Sequence, residues 1–80
     1  MHYVYIIKSI NCPDQIYVGY TRNLKQRLET HNSGGSIHTS RLRPWELIMH
    51  LVFSNKEKAS SFEKYLKTYS GKAFAKKRFW

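Results

Sequence analysis

The sequence predicts a small α+β domain, a three-stranded antiparallel sheet flanked by helices in the order ββαβαα. Three observations predict it. Two apolar and aromatic runs, HYVYIIKS and IYVGY, flank the turn-rich segment NCPDQ, which implies an antiparallel hairpin. Two later segments space their apolar residues as helices do. A third apolar run, WELIMHLVF, lies between those segments and supplies the last strand. Eighty residues make one domain, 1–80, with a core limited to about 60% burial of the unfolded surface.

In the first strand, near 2–8, Tyr3, Tyr5 and Ile7 alternate with Val4 and Ile6. Both sets are apolar or aromatic, so the strand is expected to be covered on both faces. Pro13 fixes a backbone angle in the turn. The second strand, near 16–20, carries a glycine, Gly19, between tyrosines. Glycine weakens a strand unless the backbone bends or a group approaches closely. Thr21 or Asn23 can cap a helix near 22–32, which NSGG ends. After a polar, basic loop, the third strand near 46–53 is expected to place Trp45, Leu47, Met49, Leu51 and Phe53 on one face. Ser54 and Glu57 read as a capping box for a helix near 55–69 that stops at Gly71. Residues 72–79 could add a short third helix.

Polar residues interrupt both helical stripes. Leu24, Arg27, Leu28 and His31 fall at i, i+3, i+4 and i+7, so an arginine and a histidine share an edge with two leucines. Ala59, Phe62, Leu66 and Tyr69 form the second stripe, and Glu63 sits on its border. The bland explanations are a snorkelling arginine, a satisfied boundary histidine and a boundary salt bridge from Glu63. Phosphate-loop, HExxH and CxxC patterns are absent, and the four histidines have no metal-ligand spacing. A lone carboxylate suits Mg²⁺ better than zinc. Cys12 is a single cysteine in a turn, which excludes an internal disulfide.

YVY (Tyr3–Tyr5), YVG (Tyr17–Gly19), Arg27 with His31 one turn later, and Glu63 on a later helix together resemble the GIY-YIG nuclease superfamily. LKQRLETHNSG, RPWELI and GKAFAKKRF are similar to its small stand-alone bacterial members. The resemblance implies hydrolysis of DNA phosphodiester bonds with Mg²⁺ or Mn²⁺. It implies that Tyr5 closes the first tripeptide and that Tyr17 opens the second as a general base or proton relay. Arg27 matches the phosphate-binding arginine, His31 the histidine that follows it, Glu63 the metal ligand and Gly19 the structural glycine. Tyr3 stands where the family has glycine, and the asparagine that larger members carry after the glutamate helix has no counterpart.

Fourteen Lys and Arg against five acids give a net charge of +9 and an isoelectric point near 9.9. Such an excess selects a polyanion. DNA is the expected partner, branched DNA and RNA included, with a protein partner supplying specificity. His38, Arg41, Arg43, Lys72, Lys76 and Lys77 are the candidate phosphate contacts. The absence of a long amphipathic helix argues against a membrane surface. With no leader and no run of about 18 apolar residues, the expectation is a complete, cytoplasmic chain. The main alternative to an enzyme is a non-catalytic or partner-activated nucleic-acid-binding module. In either case, DNA affinity should fall steeply with salt, because phosphate contacts release counterions. The double variant Arg41→Ala, Arg43→Ala should weaken binding to all sequences alike. A titration whose affinity stays flat from low to moderate salt would contradict the expectation.

Overall fold

A computed structural model of the chain describes residues 1–68 and 76–77. It contains β1 (His2–Ser9), β2 (Ile16–Thr21), α1 (Leu24–Ser33), a short 3-10 turn (Ser40–Leu42), β3 (Trp45–Phe53) and α2 (Lys56–Leu66). The sheet has the order β2-β1-β3, with both pairings antiparallel. The α+β class and the expected elements are therefore present. Lys76 and Lys77 have helical backbone, and the rest of the expected third helix lies outside the described residues.

The central strand explains the architecture. Val4 and Ile6 point to one face, where they pack with Val18, Ala59 and Leu66 under α2. Tyr5 and Ile7 point to the other, where they pack with Trp45 and with Leu24, Leu28 and Leu42 around α1. All four are fully buried. A strand enclosed by two helices must be apolar at every position, which is why its two alternating sets are alike.

The third strand departs from its expected faces. Ile6 lies opposite Met49, but Ile7 lies opposite Leu47, so Ile48 is an extra residue in the ladder. The bulge inverts the alternation. Trp45 and Leu47 join the α1 core, whereas Ile48, Met49 and Phe53 join the α2 core. Leu51 and Val52 remain exposed. Counting by twos assumes an unbroken ladder, and no residue in WELIMHLVF announces the break.

Helix ends follow local chemistry. Asn23 caps α1, its side chain accepting from the Gln26 amide at 3.1 Å. Gly34, at φ 84°, closes α1 in the left-handed region that glycine enters without strain. The cap of α2 is Asn55, which accepts from the amides of Glu57 and Lys58, and not Ser54 in a capping box with Glu57. An Asn offered one position later reaches the same orphan amides. α2 ends at Leu66, short of the expected 69. The Lys67 amide is shared between the Glu63 and Lys64 carbonyls, the Thr68 amide turns to the Tyr65 carbonyl three residues back, and the Thr68 hydroxyl donates to that same carbonyl at 2.6 Å. A hydroxyl competing for a helical carbonyl is a recognised way to end a helix. Tyr69 and Gly71 lie outside the described residues.

The hairpin register sets Tyr5 opposite Gly19 and Ile7 opposite Tyr17. The Tyr5 ring lies across the glycine, and a Cβ at position 19 would meet its Cζ and hydroxyl. The glycine is thus the floor on which an aromatic ring rests. Gly19→Ala should displace Tyr5 and cost about 1–3 kcal/mol, as overpacking a filled site does. Thermal or urea unfolding measures this, and a variant as stable as wild type would contradict the packing.

Candidate active site

Burial of β1 carries the Tyr5 hydroxyl into the layer between sheet and α1. There it needs partners, because a buried unsatisfied hydroxyl costs about 1–3 kcal/mol. α1 provides two. Arg27 and His31 are one turn apart on the face that also presents Leu24 and Leu28. The Arg27 Nε–H donates to the Tyr5 hydroxyl at 3.4 Å, and the same hydroxyl is hydrogen-bonded to His31 Nε2 at 2.8 Å. The other ring nitrogen, Nδ1, is 2.8 Å from the Thr39 hydroxyl. Tyr17 completes the cluster, its ring centroid 5.1 Å from that of His31 and 6.4 Å from that of Tyr5.

These contacts set the electrostatics. Burial pushes the Tyr5 phenol above its ordinary value, and the Arg27 hydrogen bond opposes that shift. The guanidinium is held charged first by its bond to Tyr5, with Tyr17 adding to the effect. His31 is fully buried; desolvation and then the Arg27 charge lower its pKa, so the imidazole is neutral near pH 7. A neutral imidazole has one donor and one acceptor nitrogen, which matches its two neighbours.

Glu63 belongs to α2, on the opposite face of the sheet. α2 also packs against β2, the edge strand, and the Glu63 charge reaches Tyr5 and raises its pKa. Its carboxylate pairs with Lys67 at 3.1 Å, the boundary salt bridge foreseen from sequence. The lysine is 52% exposed and the pair spans i,i+4, an arrangement worth only a few tenths of a kcal/mol. Among the described residues no three or more His, Cys, Asp or Glu side chains gather to hold a metal. A single carboxylate with a displaceable partner fits a hard cation such as Mg²⁺ or Mn²⁺, which keeps several waters and takes phosphate oxygens from a substrate.

The candidate phosphate contacts on the loop lie outside the hydrogen-bonded cluster, whereas Lys76 borders it. His38, Arg41 and Arg43 are exposed on the loop between α1 and β3, and the Arg43 guanidinium packs over Gly34. Lys76 and Lys77 are exposed, and Lys72 lies outside the described residues. Lys76 and Lys67 line an open groove with Asp14, Ile16 and Tyr17, so one edge of the cluster faces lysines. The free thiol of Cys12 is half-buried in the hairpin turn, away from the cluster. No helix among the described residues is long and apolar enough to cross a membrane.

Sequence reasoning did not single out Thr39, Asn32, Ser9 or the indole of Trp45. Trp45 Nε1 donates to the Thr39 carbonyl at 2.9 Å, and Asn32 accepts from the Trp45 amide at 2.6 Å. The Ser9 hydroxyl donates to the Leu42 carbonyl at 2.7 Å. Together they fix the loop behind His31. In the sequence none of them carries a functional pattern, and only their tertiary hydrogen bonds mark them.

Residues 1–78 match the family described as the GIY-YIG catalytic domain. The chain is 44% identical over 71 residues to the UPF0213 protein SH2523 of Staphylococcus haemolyticus, an alignment that covers 86% of this chain and 83% of that protein. It is 41% identical over 73 residues to the UPF0213 protein YazA of Bacillus subtilis, covering 89% and 71% respectively. Its fold is similar to the solution structure of the UPF0213 protein BH0048 from Bacillus halodurans, with a TM-score of 0.58 and 29% identity over 98% of this chain and 85% of that one. The tyrosine, arginine and histidine that the two tripeptides and the first helix bring together are carried by a chain that belongs to the GIY-YIG catalytic domain family.

Proposed function

We propose that the chain is a divalent-metal-dependent endonuclease that hydrolyses DNA phosphodiester bonds. The observation that carries the reading is the convergence of Tyr5, Tyr17, Arg27 and His31 on one point beside the sheet's edge strand, in a strongly basic chain. Membership of the family, which implies a nucleic-acid substrate, supports it.

Phosphodiester cleavage requires charge to be neutralised on the phosphate and a proton to be taken from the attacking water. The Arg27 side chain is engaged by Tyr5 through Nε–H and by Tyr17, and its remaining terminal N–H groups can fork onto phosphate oxygens. Tyr17 is half-buried beside a groove containing Lys67 and Lys76, so its hydroxyl is the one placed to meet water or substrate. It is the residue proposed as base or proton relay. His31 is fully buried and exchanges protons with the substrate only through Tyr5. Glu63 would hold Mg²⁺ or Mn²⁺, which when bound supplies charge stabilisation at the phosphoryl group and the leaving oxygen. The exposed arginines of the loop between α1 and β3 and the lysines at 76 and 77 hold the DNA backbone without reading sequence.

Nicking of plasmid and branched DNA with Mg²⁺ or Mn²⁺, run beside a binding titration, tests the reading. Glu63→Gln should lower cleavage at least about 10²-fold, the scale of losing one transition-state stabiliser, while affinity holds or tightens because a negative charge near phosphate is gone. Arg27→Ala should reduce both. Tyr17→Phe should lower turnover and leave the melting curve unchanged, since the ring is kept. Equal cleavage by wild type and Glu63→Gln would refute the metal role, and a wild type that cuts no nucleic acid would favour the binding module.

A further inference from the structure

The one half-buried acid of the chain already has a partner. Asp14, Glu29, Glu46 and Glu57 are exposed, whereas the Glu63 side chain is 22% exposed and forms the one ion pair among the described residues, with Lys67. Lys67 follows the last helical residue of α2, Leu66, and lies four positions after Glu63, so both side chains leave the helix on the same side. The lysine also lines the groove that contains Tyr17 and Lys76. One ammonium therefore stands between the carboxylate proposed to hold a cation and the groove proposed to receive DNA. Its hydrogen bond to Glu63 Oε2 uses one of its three N–H groups. Two demands meet on it. A divalent cation on the carboxylate would stand within a few ångströms of Nζ and be repelled, whichever carboxylate oxygen takes it. A phosphate in the groove has the opposite sign and attracts it. Reach permits the exchange, because two oxygens that share one Mg²⁺ at about 2.1 Å each lie within about 4 Å of each other. A phosphate held together with Glu63 is thus within a swing of the flexible four-carbon stem.

We propose that Lys67 is a substrate-binding residue that works by exchange: it holds the Glu63 carboxylate while no DNA is bound, and moves to a DNA phosphate when that carboxylate takes a divalent cation. The inference rests on the nuclease reading for the identity of both ligands. Its consequence is reciprocal. DNA draws the ammonium away from the carboxylate, and the cation frees the ammonium for DNA, so each tightens the other by the same factor. The other charges of the groove do not share this behaviour. Lys76 has no ion pair among the described residues, so it offers its charge to a phosphate with or without the cation. Asp14 is exposed and is not paired with Lys67.

Mn²⁺ titrated into the protein without DNA, followed by paramagnetic broadening of the amide resonances around Glu63, reads the first half of the exchange. Lys67→Met, which keeps the apolar stem and removes the charge, should tighten Mn²⁺ about twofold to fivefold, the scale of an exposed charge interaction. Lys67→Arg should stay near wild type. So should Lys58→Met, which removes an equal charge from α2 at a position lining a different groove. Binding of a short DNA duplex at several salt concentrations reads the second half. With Ca²⁺, which takes the same oxygen ligands, the slope of log affinity on log salt should be steeper for wild type than for Lys67→Met by about 0.9, one phosphate contact. Without divalent cations the two slopes should coincide. Lys67 is 52% exposed, so each variant should melt as wild type does. Mn²⁺ affinity unchanged or weakened in Lys67→Met, equal slopes with Ca²⁺, or no broadening around Glu63 in any of these proteins overturns the inference. Nicking judges the nuclease reading separately. Cleavage that needs Glu63, in a protein whose Lys67→Met variant binds Mn²⁺ no more tightly, keeps that reading and removes the exchange. The exchange observed in a protein that cuts no nucleic acid sustains the inference and removes the reading.

Discussion

The structure depends on one constraint, the placement of a tyrosine hydroxyl inside a protein too small to hide it cheaply. Tyr5 sits on the central strand, within the fully buried run from Val4 to Ile7, and its hydroxyl must be satisfied from within. The glycine opposite gives the ring room to lie flat, and the helix that covers it supplies an arginine and a histidine in place of two more apolar residues. The histidine in turn requires a partner for its second nitrogen, which the following loop provides. A single buried hydroxyl thus dictates a glycine in β2, two polar positions in α1 and a buried threonine in the loop.

This division of labour follows the two faces of the sheet. The face under α2 packs Val4, Ile6, Val18, Ala59 and Leu66 and has no buried polar side chain among its core residues. It is the plain hydrophobic half. The other face mixes Ile7, Leu24, Leu28 and Trp45 with Tyr5, His31 and Thr39, and its hydrogen bonds are aligned end to end. Networks of this kind are costly unless every member is satisfied, and among the described residues no buried side-chain polar atom lacks a partner. The apolar half stabilises the sheet on which the polar half is held in place.

Much of this was legible in the sequence, and the limits are physical. Apolar alternation on both sides of HYVYIIKS announced a doubly covered strand, and the helical stripes announced Arg27 and His31 as polar residues at core-facing positions. The pairing of Tyr5 with Gly19 was not legible, because hairpin register depends on how many turn residues loop out. The bulge at Ile48 was hidden for a related reason, since it breaks the count without changing composition. Thr39 was invisible because a loop residue carries no periodicity, and its burial arises from tertiary packing against Trp45 and His31. The salt bridge of Glu63 with Lys67 was foreseen, and it leaves open the role proposed for the carboxylate, since the lysine is exposed and readily displaced.

The central claim is that the buried Tyr5 hydroxyl, with Arg27 and His31, works in phosphodiester cleavage and is not merely packing. Single-turnover cleavage by Tyr5→Phe, measured with DNA affinity and thermal stability, tests it most directly. The ring is kept, so the fold should persist with a loss of about 1–3 kcal/mol from the partners left unpaired. The account predicts a cleavage rate reduced by about 10²-fold or more, with affinity for DNA within about twofold of wild type. A folded Tyr5→Phe protein that cuts DNA at the wild-type rate would contradict the account and leave Tyr5 a core residue with a satisfied hydroxyl.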